Sequence, residues 1–347
     1  MKIGTIELSS PLVQAGLAGY SDRAMRLVAR RRGCPYAVTE ALLDVIMLNG
    51  GEGLRKSVDI NDEDHPVAGQ IIGSDPAQMA RAGVILANAG YDVVDVNLAC
   101  PVKKIRNKAR GGHLLSDVQT AIAIVRSVRE AVPTNVPVTV KLRRGYDESA
   151  EATEAFWSIL EAVFGCGIAA AAVHARTVEQ KYAGVAHWPF LKDVKQRYPD
   201  RVILGSGDVF DAPSVVRMLR ETSVDGIWIA RGAIGNPWIF ADAQRLLKGE
   251  DGTMLRPPDV LMQRDALAEH FMEAMRVHGE QLAGRRMRKM GIRYARFHPH
   301  GDEVKKAFIE VVSLRDWQRV LDQWYANDVP GVWPAKATVD LVNECGQ

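Results

Sequence analysis

Residues 91–115 read YDVVDVNLACPVKKIRNKARGGHLL. An apolar β-run, Val93 to Val96, ends in Asn97, and Cys100 follows three residues later with Pro101 behind it. Lys103, Lys104, Arg106, Lys108 and Arg110 then place five positive charges in eight residues, with no acid among them. A buried strand that delivers an amide and a thiol at its carboxyl end, backed by a cationic loop, is laid out like an active site facing a polyanion. Each piece alone has a plainer explanation. A single cysteine is usually a small buried hydrophobe, and a basic loop is usually a solvated face. The combination carries weight only if the remaining chain builds strand ends of the same kind.

It does. Strand-like runs fall at 11–15, 36–40, 67–71, 92–97, 136–141, 169–174, 201–205 and 225–230. Helical spacing separates them near 22–32, 76–90, 117–131, 152–165, 189–197, 212–221 and 236–248. Asp22, Asp75 and Asp117 stand where N-caps belong, and Pro76 fits a first helical position. Eight strands alternating with helices over residues 1–248 predict a (β/α)8 barrel, a fold of roughly 250 residues. A doubly wound sheet is the alternative. The strand ends favour the barrel: Glu40, Gln70, Asn97 with Cys100, Lys141 with Arg143, His174 with Arg176, the GSGD of 205–208, and Arg231. In a barrel they converge on one face; in an open sheet they would spread along an edge. Residues 249–257, GEDGTMLRP, read as a linker, and 258–326 as a smaller all-helical domain with helices near 258–281, 283–297, 302–312 and 314–326. Residues 327–347 form a weakly patterned tail.

Of the 347 residues, 47% are hydrophobic and 25% charged, as expected of a globular chain with a large core and a second domain. The net charge is only +2, but arginines cluster at 23–32 and again with lysine at 285–296. Together with the 103–110 loop, these clusters point to an anionic partner. The cysteines, Cys34, Cys100, Cys166 and Cys345, show no CxxC spacing, so neither a metal site nor a disulfide framework is expected. No apolar run approaches the roughly 20 residues of a membrane span, and the N-terminus lacks a signal-like apolar stretch; a cytoplasmic protein is expected.

The last two strand ends are the most readable. GSGD (205–208) and ARGAIGNPWIF (230–240) are glycine-rich turns beside a helix start, a phosphate site built from backbone N–H groups with a guanidinium from Arg231. Lys141 closes an apolar strand and needs an anionic partner there. Beside a phosphate-anchored flavin it would face the pyrimidine edge of the ring; Gln70 can meet the same edge or serve equally well as a satisfied core amide. His174 and Arg176, two residues apart, are expected to point the same way.

The ordered series VTEAL, GQIIGSDP, DVNLACPVKK, VTVKLRRG, VHARTVEQKYAG, GSGDV and ARGAIGNPWIF resembles the tRNA-dihydrouridine synthases, flavin enzymes that reduce uridine in RNA, and most of all their bacterial B-type branch. The likeness runs from about residue 3 to 325. It implies FMN in the barrel, NADPH or NADH as reductant, and Cys100 as the acid. By position, Gly16, Leu17 and Ala18 would lie against the flavin, with Gln70, Lys141 and His174 on its ring and tail. Ser206, Gly207, Asp208, Ala230 and Arg231 would hold the ribityl phosphate. Asn97, Arg143 and Arg176 would hold the uracil, while Lys103, Lys104, Arg288 and Lys289 would attract the RNA. The implied chemistry is hydride from FMN N5 to uracil C6 and a proton from Cys100 to C5, on a base drawn out of its stack. tRNA is the implied substrate; ribosomal RNA, or a small pyrimidine on a similar barrel, are alternatives. The chain departs from the family pattern at Gly16-Leu17 (usually Pro-Met), Ser206 (Asn), Ala230 (Gly), and Met290 and Arg293-Tyr294 (His, then Trp-Tyr).

Overall fold

Side chains alternate across a strand, so in a closed barrel every second residue enters the interior. In the computed structural model eight parallel strands form the barrel: β1 (Leu12–Gln14), β2 (Ala37–Val38), β3 (Val67–Ile72), β4 (Val93–Asn97), β5 (Val138–Arg143), β6 (Ala170–His174), β7 (Ile203–Ser206) and β8 (Gly226–Ile229), with the short Leu42–Leu43 strand added beside β3. β8 pairs back onto β1, Trp228 opposite Val13, which closes the sheet. The structure describes residues 1–335 except Gly53, 55–57 and Asn107, with Lys104 and Arg106 described in their backbone only. Residues 336–347 of the expected tail, Cys345 among them, and the RNA contact expected of Lys104 therefore lie outside what is described.

The crossover helices are α1 (Arg23–Arg30), α2 (Pro76–Asn88), α3 (Val118–Ala131), α4 (Ala150–Gly165), α5 (Trp188–Arg197), α6 (Ala212–Thr222) and α7 (Ile239–Leu247). Asp22, Asp75 and Asp117 accept from the N–H groups of Met25, Gln78 and Thr120 at 3.0, 2.8 and 3.1 Å, as N-caps worth about 1 kcal/mol each. Outward strand residues such as Val96, Val140 and Leu142 join these helices in the larger core. Inward ones, among them Val13, Ala68, Val93, Ala170 and Trp228, form a smaller core, joined by Ile3 and Leu8 from the N-terminal ribbon.

Four helices follow the barrel: α8 (Val260–His278), α9 (Glu280–Tyr294), α10 (Gly301–Ile309) and α11 (Leu314–Trp324). They dock on α1. Arg31 reaches Glu269 (2.7 Å) and Glu273 (3.1 Å), Arg32 reaches Glu269 (2.7 Å), and His278 meets Asp22 (2.7 Å). This corrects the reading of the 23–32 arginines as a footprint for an anionic partner. Arg23 pairs with Asp59, and Arg26 is buried against Asp64. The neutralising acids are distant in sequence, so the run looked uncompensated. On the other side, the Trp238 ring packs edge-on against Tyr294 and Phe297. The described part of the tail returns to the same place, with the Val332 N–H on the Phe297 carbonyl at 2.9 Å. Among the described residues no helix is long and apolar enough to cross a membrane.

Candidate active site

Strand register brings the polar residues together. The inward positions are Ala68 and Gln70 on β3, then Val93, Asp95 and Asn97 on β4. On β5 they are Thr139, Lys141 and Arg143, and on β6 Ala170, Ala172 and His174. Each column is apolar or small low in the barrel and polar at its carboxyl end. A cleft of about 1100 Å³, measured out to solvent, opens at those ends. It is lined by Gly16, Leu17, Ala18, Gln70, Asn97, Cys100, Lys141, Arg143, His174, Ser206, Gly207, Asp208, Ala230 and Arg231. Fourteen residues singled out in the sequence thus share one cavity.

The floor is a chain of hydrogen bonds between strands in register, with Gln70 opposite Asp95 and Asp95 opposite Thr139. Thr139 Oγ1 donates to Asp95 Oδ1 (2.6 Å), and Gln70 Nε2 donates to Asp95 Oδ2 (2.8 Å). Asn97 Nδ2 donates to Gln70 Oε1 (2.7 Å). Asn97 Oδ1 accepts from the N–H groups of Ala99 and Cys100 at 2.9 and 3.1 Å. Asp95 was not singled out in the sequence, although its parity with Asn97 would have placed it in the barrel. Burial raises its carboxyl pKa to about 6 against the opposing pull of Thr139, Gln70 and Lys141, which leaves it ionised at neutral pH.

Cations dominate the walls. The Lys141 ammonium is buried, makes one long hydrogen bond to the Leu142 carbonyl (3.3 Å) and lies 5.8 Å from the Trp228 ring centroid. Burial, then the nearby Arg143, pushes its pKa down to about 7. The Arg231 guanidinium lies between the rings of Tyr182 (4.8 Å) and Phe210 (5.0 Å) and reaches Asp208 at 3.3 Å. His174 is held well below the usual imidazole range by burial and by Arg143, Lys141, Arg176 and Arg231. Its Nδ1 accepts from the Arg176 N–H at 3.0 Å, so the neutral ring carries its proton on Nε2. Gly207, at φ +130°, sits where a Cβ would lie 2.7 Å from that of Ala186, so only glycine fits the turn. Burial raises the Cys100 thiol pKa and keeps it protonated at neutral pH.

Three residues expected to hold uracil are engaged elsewhere. Asn97 has both ends of its amide bonded, as above. Arg143 donates to the carbonyls of Ala99 (2.9 Å), Thr177 (2.8 Å) and Lys181 (2.8 Å), tying the Cys100 turn to the loop after β6. Arg176 does not line the cleft: it is 2% exposed and grips both carboxylate oxygens of Asp208 at 2.8 and 2.7 Å. That grip also turns the Asp208 carboxylate toward Arg176 and the Ala186 N–H (2.8 Å). Lys103 is exposed. Arg288 is half-buried beside the Ile309 carbonyl. Lys289 bonds the Gly19 carbonyl and lies over the Tyr20 ring, on a loop that borders the cleft. The His and Trp departures fall at Met290 and Arg293, both buried in the helical region, so they alter its packing. Tyr20, Tyr182, Phe210 and Trp228 also line the cleft. They were not singled out, because aromatic residues in loops carry no periodic signal and Trp228 lies within the apolar run of β8.

A closed parallel barrel with its polar groups gathered at the carboxyl mouth defines an enzyme, and the relatives make it an oxidoreductase. The family model described as dihydrouridine synthase matches residues 13–329, and the chain belongs to that family. It is 32% identical over 336 residues to tRNA-dihydrouridine synthase B of Xanthomonas axonopodis pv. citri, covering 96% of this chain and 98% of that one. It is 34% identical over 299 residues to the enzyme of the same name from Shewanella oneidensis, covering 86% and 88%. Among solved structures, morphinone reductase in complex with tetrahydroNAD shares the barrel, with a TM-score of 0.52 at 14% identity over 76% of this chain and 92% of that one.

Proposed function

We propose that this protein reduces a uridine of tRNA to 5,6-dihydrouridine, with FMN as resident cofactor and NADPH or NADH as reductant. The observation that carries the reading is the pairing, in one cleft, of a protonated thiol at Cys100 with an under-partnered buried ammonium at Lys141. The donor set suits a planar anionic group with a phosphate tail. Gln70 and Lys141 would meet the ring. Ser206, the tight turn at Gly207 and Arg231 would meet the phosphate, with the Asp208 carboxylate drawn aside by Arg176. FMN, when bound and reduced, supplies the hydride added at uracil C6.

The chain supplies the rest. Lys141 would hold an anionic ring edge and regain there the charge that burial disfavours. His174 offers an Nε2–H donor. Cys100 gives its proton to C5 as the C–H bond forms there, and the resulting thiolate is reprotonated from solvent. Raised pKa and acid role agree: a thiol protonated at pH 7 can donate, and turnover should fall only as alkaline pH ionises it. Arg143 holds the Cys100 turn through the Ala99 carbonyl.

The test is to incubate the protein with FMN, NADPH and RNA lacking dihydrouridine, then map dihydrouridine by sequencing, with Cys100→Ala alongside. Dihydrouridine at a defined tRNA position, reduced about 10²- to 10⁴-fold by the substitution, is expected. Dihydrouridine in ribosomal RNA only, or undiminished turnover by Cys100→Ala, would overturn the substrate or the acid respectively.

A further inference from the structure

We propose that Asp95 is a positioning residue for Cys100, acting through the directional relay Thr139–Asp95–Gln70–Asn97. The inference rests on the uridine-reductase reading for its purpose, but not for its geometry. Asp95 is 0% exposed, lies beneath the residues that line the cleft, and among the described residues its carboxylate has two side-chain hydrogen-bond partners, both donors. An ionised carboxylate only accepts, so it fixes the flip of the Gln70 amide with Nε2 toward Asp95 and Oε1 toward Asn97. That in turn fixes Asn97 with Nδ2 toward Gln70 and Oδ1 toward the turn, where it holds the Ala99 and Cys100 N–H groups. The Gln70 amide could flip in isolation, whereas the two turn N–H groups already favour Asn97 Oδ1. The carboxylate at the buried end removes the choice, and cross-strand register supplies the path.

The relay depends on hydrogen-bond direction more than on charge, and this separates it from a merely structural carboxylate. In Asp95→Asn, the amide can present either its oxygen or its nitrogen to Gln70, and the Thr139 hydroxyl, which can donate or accept, satisfies either flip, so the bias from the buried end is lost while every hydrogen bond can still be made. In Thr139→Val, Asp95 still accepts from Gln70. Asp95→Ala removes the bias outright.

The experiment reads the Cys100 thiol directly, as the rate of iodoacetamide labelling of the Cys100 peptide in the full-length protein by mass spectrometry, together with kcat and KM for RNA. A freed Cys100 turn is expected to label faster. It should lower kcat by about tenfold to a hundredfold with KM for RNA little changed. Asp95→Asn and Asp95→Ala should show both effects, while Thr139→Val stays near the parent. Asp95→Asn that stays near the parent, or Thr139→Val as impaired as Asp95→Ala, would overturn the relay. Should Asp95→Ala not fold, the isosteric Asp95→Asn decides. Labelling needs no RNA, so a wrong substrate assignment would leave that arm intact.

Discussion

Lys141 shows what a single residue contributes and costs here. Its ammonium is buried with one long hydrogen bond, which disfavours the charged form and lowers its pKa from 10.5 to about 7. The unfolded chain therefore binds more protons between pH 7 and 10.5, and the penalty is complete below pH 7. Lys141→Met should stabilise the flavin-free protein at pH 6 by on the order of 1 kcal/mol or more. The gain should fade as pH rises toward 10.5, and FMN affinity should drop. Melting curves across pH and a flavin titration check both. A variant less stable at pH 6 would mean that the ammonium is better partnered than it looks. At this scale the sequence named most of the cleft, because strand-terminal polar residues are visible as such. It did not show how three of its residues are engaged: Asn97 by Gln70 and the nearby Ala99 and Cys100 N–H groups, Arg143 by carbonyls of remote loops, and Arg176 by a carboxylate 32 residues away. Residue type shows a capacity to bond; only the fold shows what has already filled it.

Among the elements, the 103–110 segment divides in two. Lys103 starts a helical turn and is exposed, whereas Arg110 pairs at 3.1 Å with Asp44, itself 1% exposed. Arg110→Ala should therefore destabilise the fold by on the order of 3 kcal/mol, since it strands a buried carboxylate. Lys103→Glu should leave stability alone and flatten the salt dependence of RNA binding, by about 0.7 to 0.9 in the log–log slope for each phosphate no longer neutralised. Chemical denaturation and filter binding at several salt concentrations separate them. Equal effects of the two on stability would sink the distinction. The strands themselves were legible to within two residues at most ends, because apolar runs bounded by glycine and aspartate leave few choices. The helix Asp44–Asn49, which carries Arg110's partner, was not. Its sequence, DVIMLN, is too short for a period to show.

For the whole molecule, the barrel and the helices behind it meet at Gly235, where φ is +64° and a Cβ would lie 2.6 Å from the Arg293 carbonyl carbon. Gly235→Val should open this joint while leaving the cleft's own residues in place. Calorimetry should then show two transitions in place of one, and RNA affinity should fall further than FMN affinity. A single transition with both affinities unchanged would show that the α1 ion pairs hold the two parts together without it.

The alternation along β5 carries a consequence for how such a chain can change over generations. Thr139, Lys141 and Arg143 face one way, and Val138, Val140 and Leu142 the other. Two messages, one chemical and one architectural, are written on the same six residues in interleaved letters. A single-codon insertion or deletion inside the strand would exchange them wholesale, turning valine and leucine into the cleft and lysine and arginine into the helix layer. A two-codon slip would preserve the sense of both. Substitution can revise either message letter by letter, but length can drift only in even steps, or in the loops where neither is written.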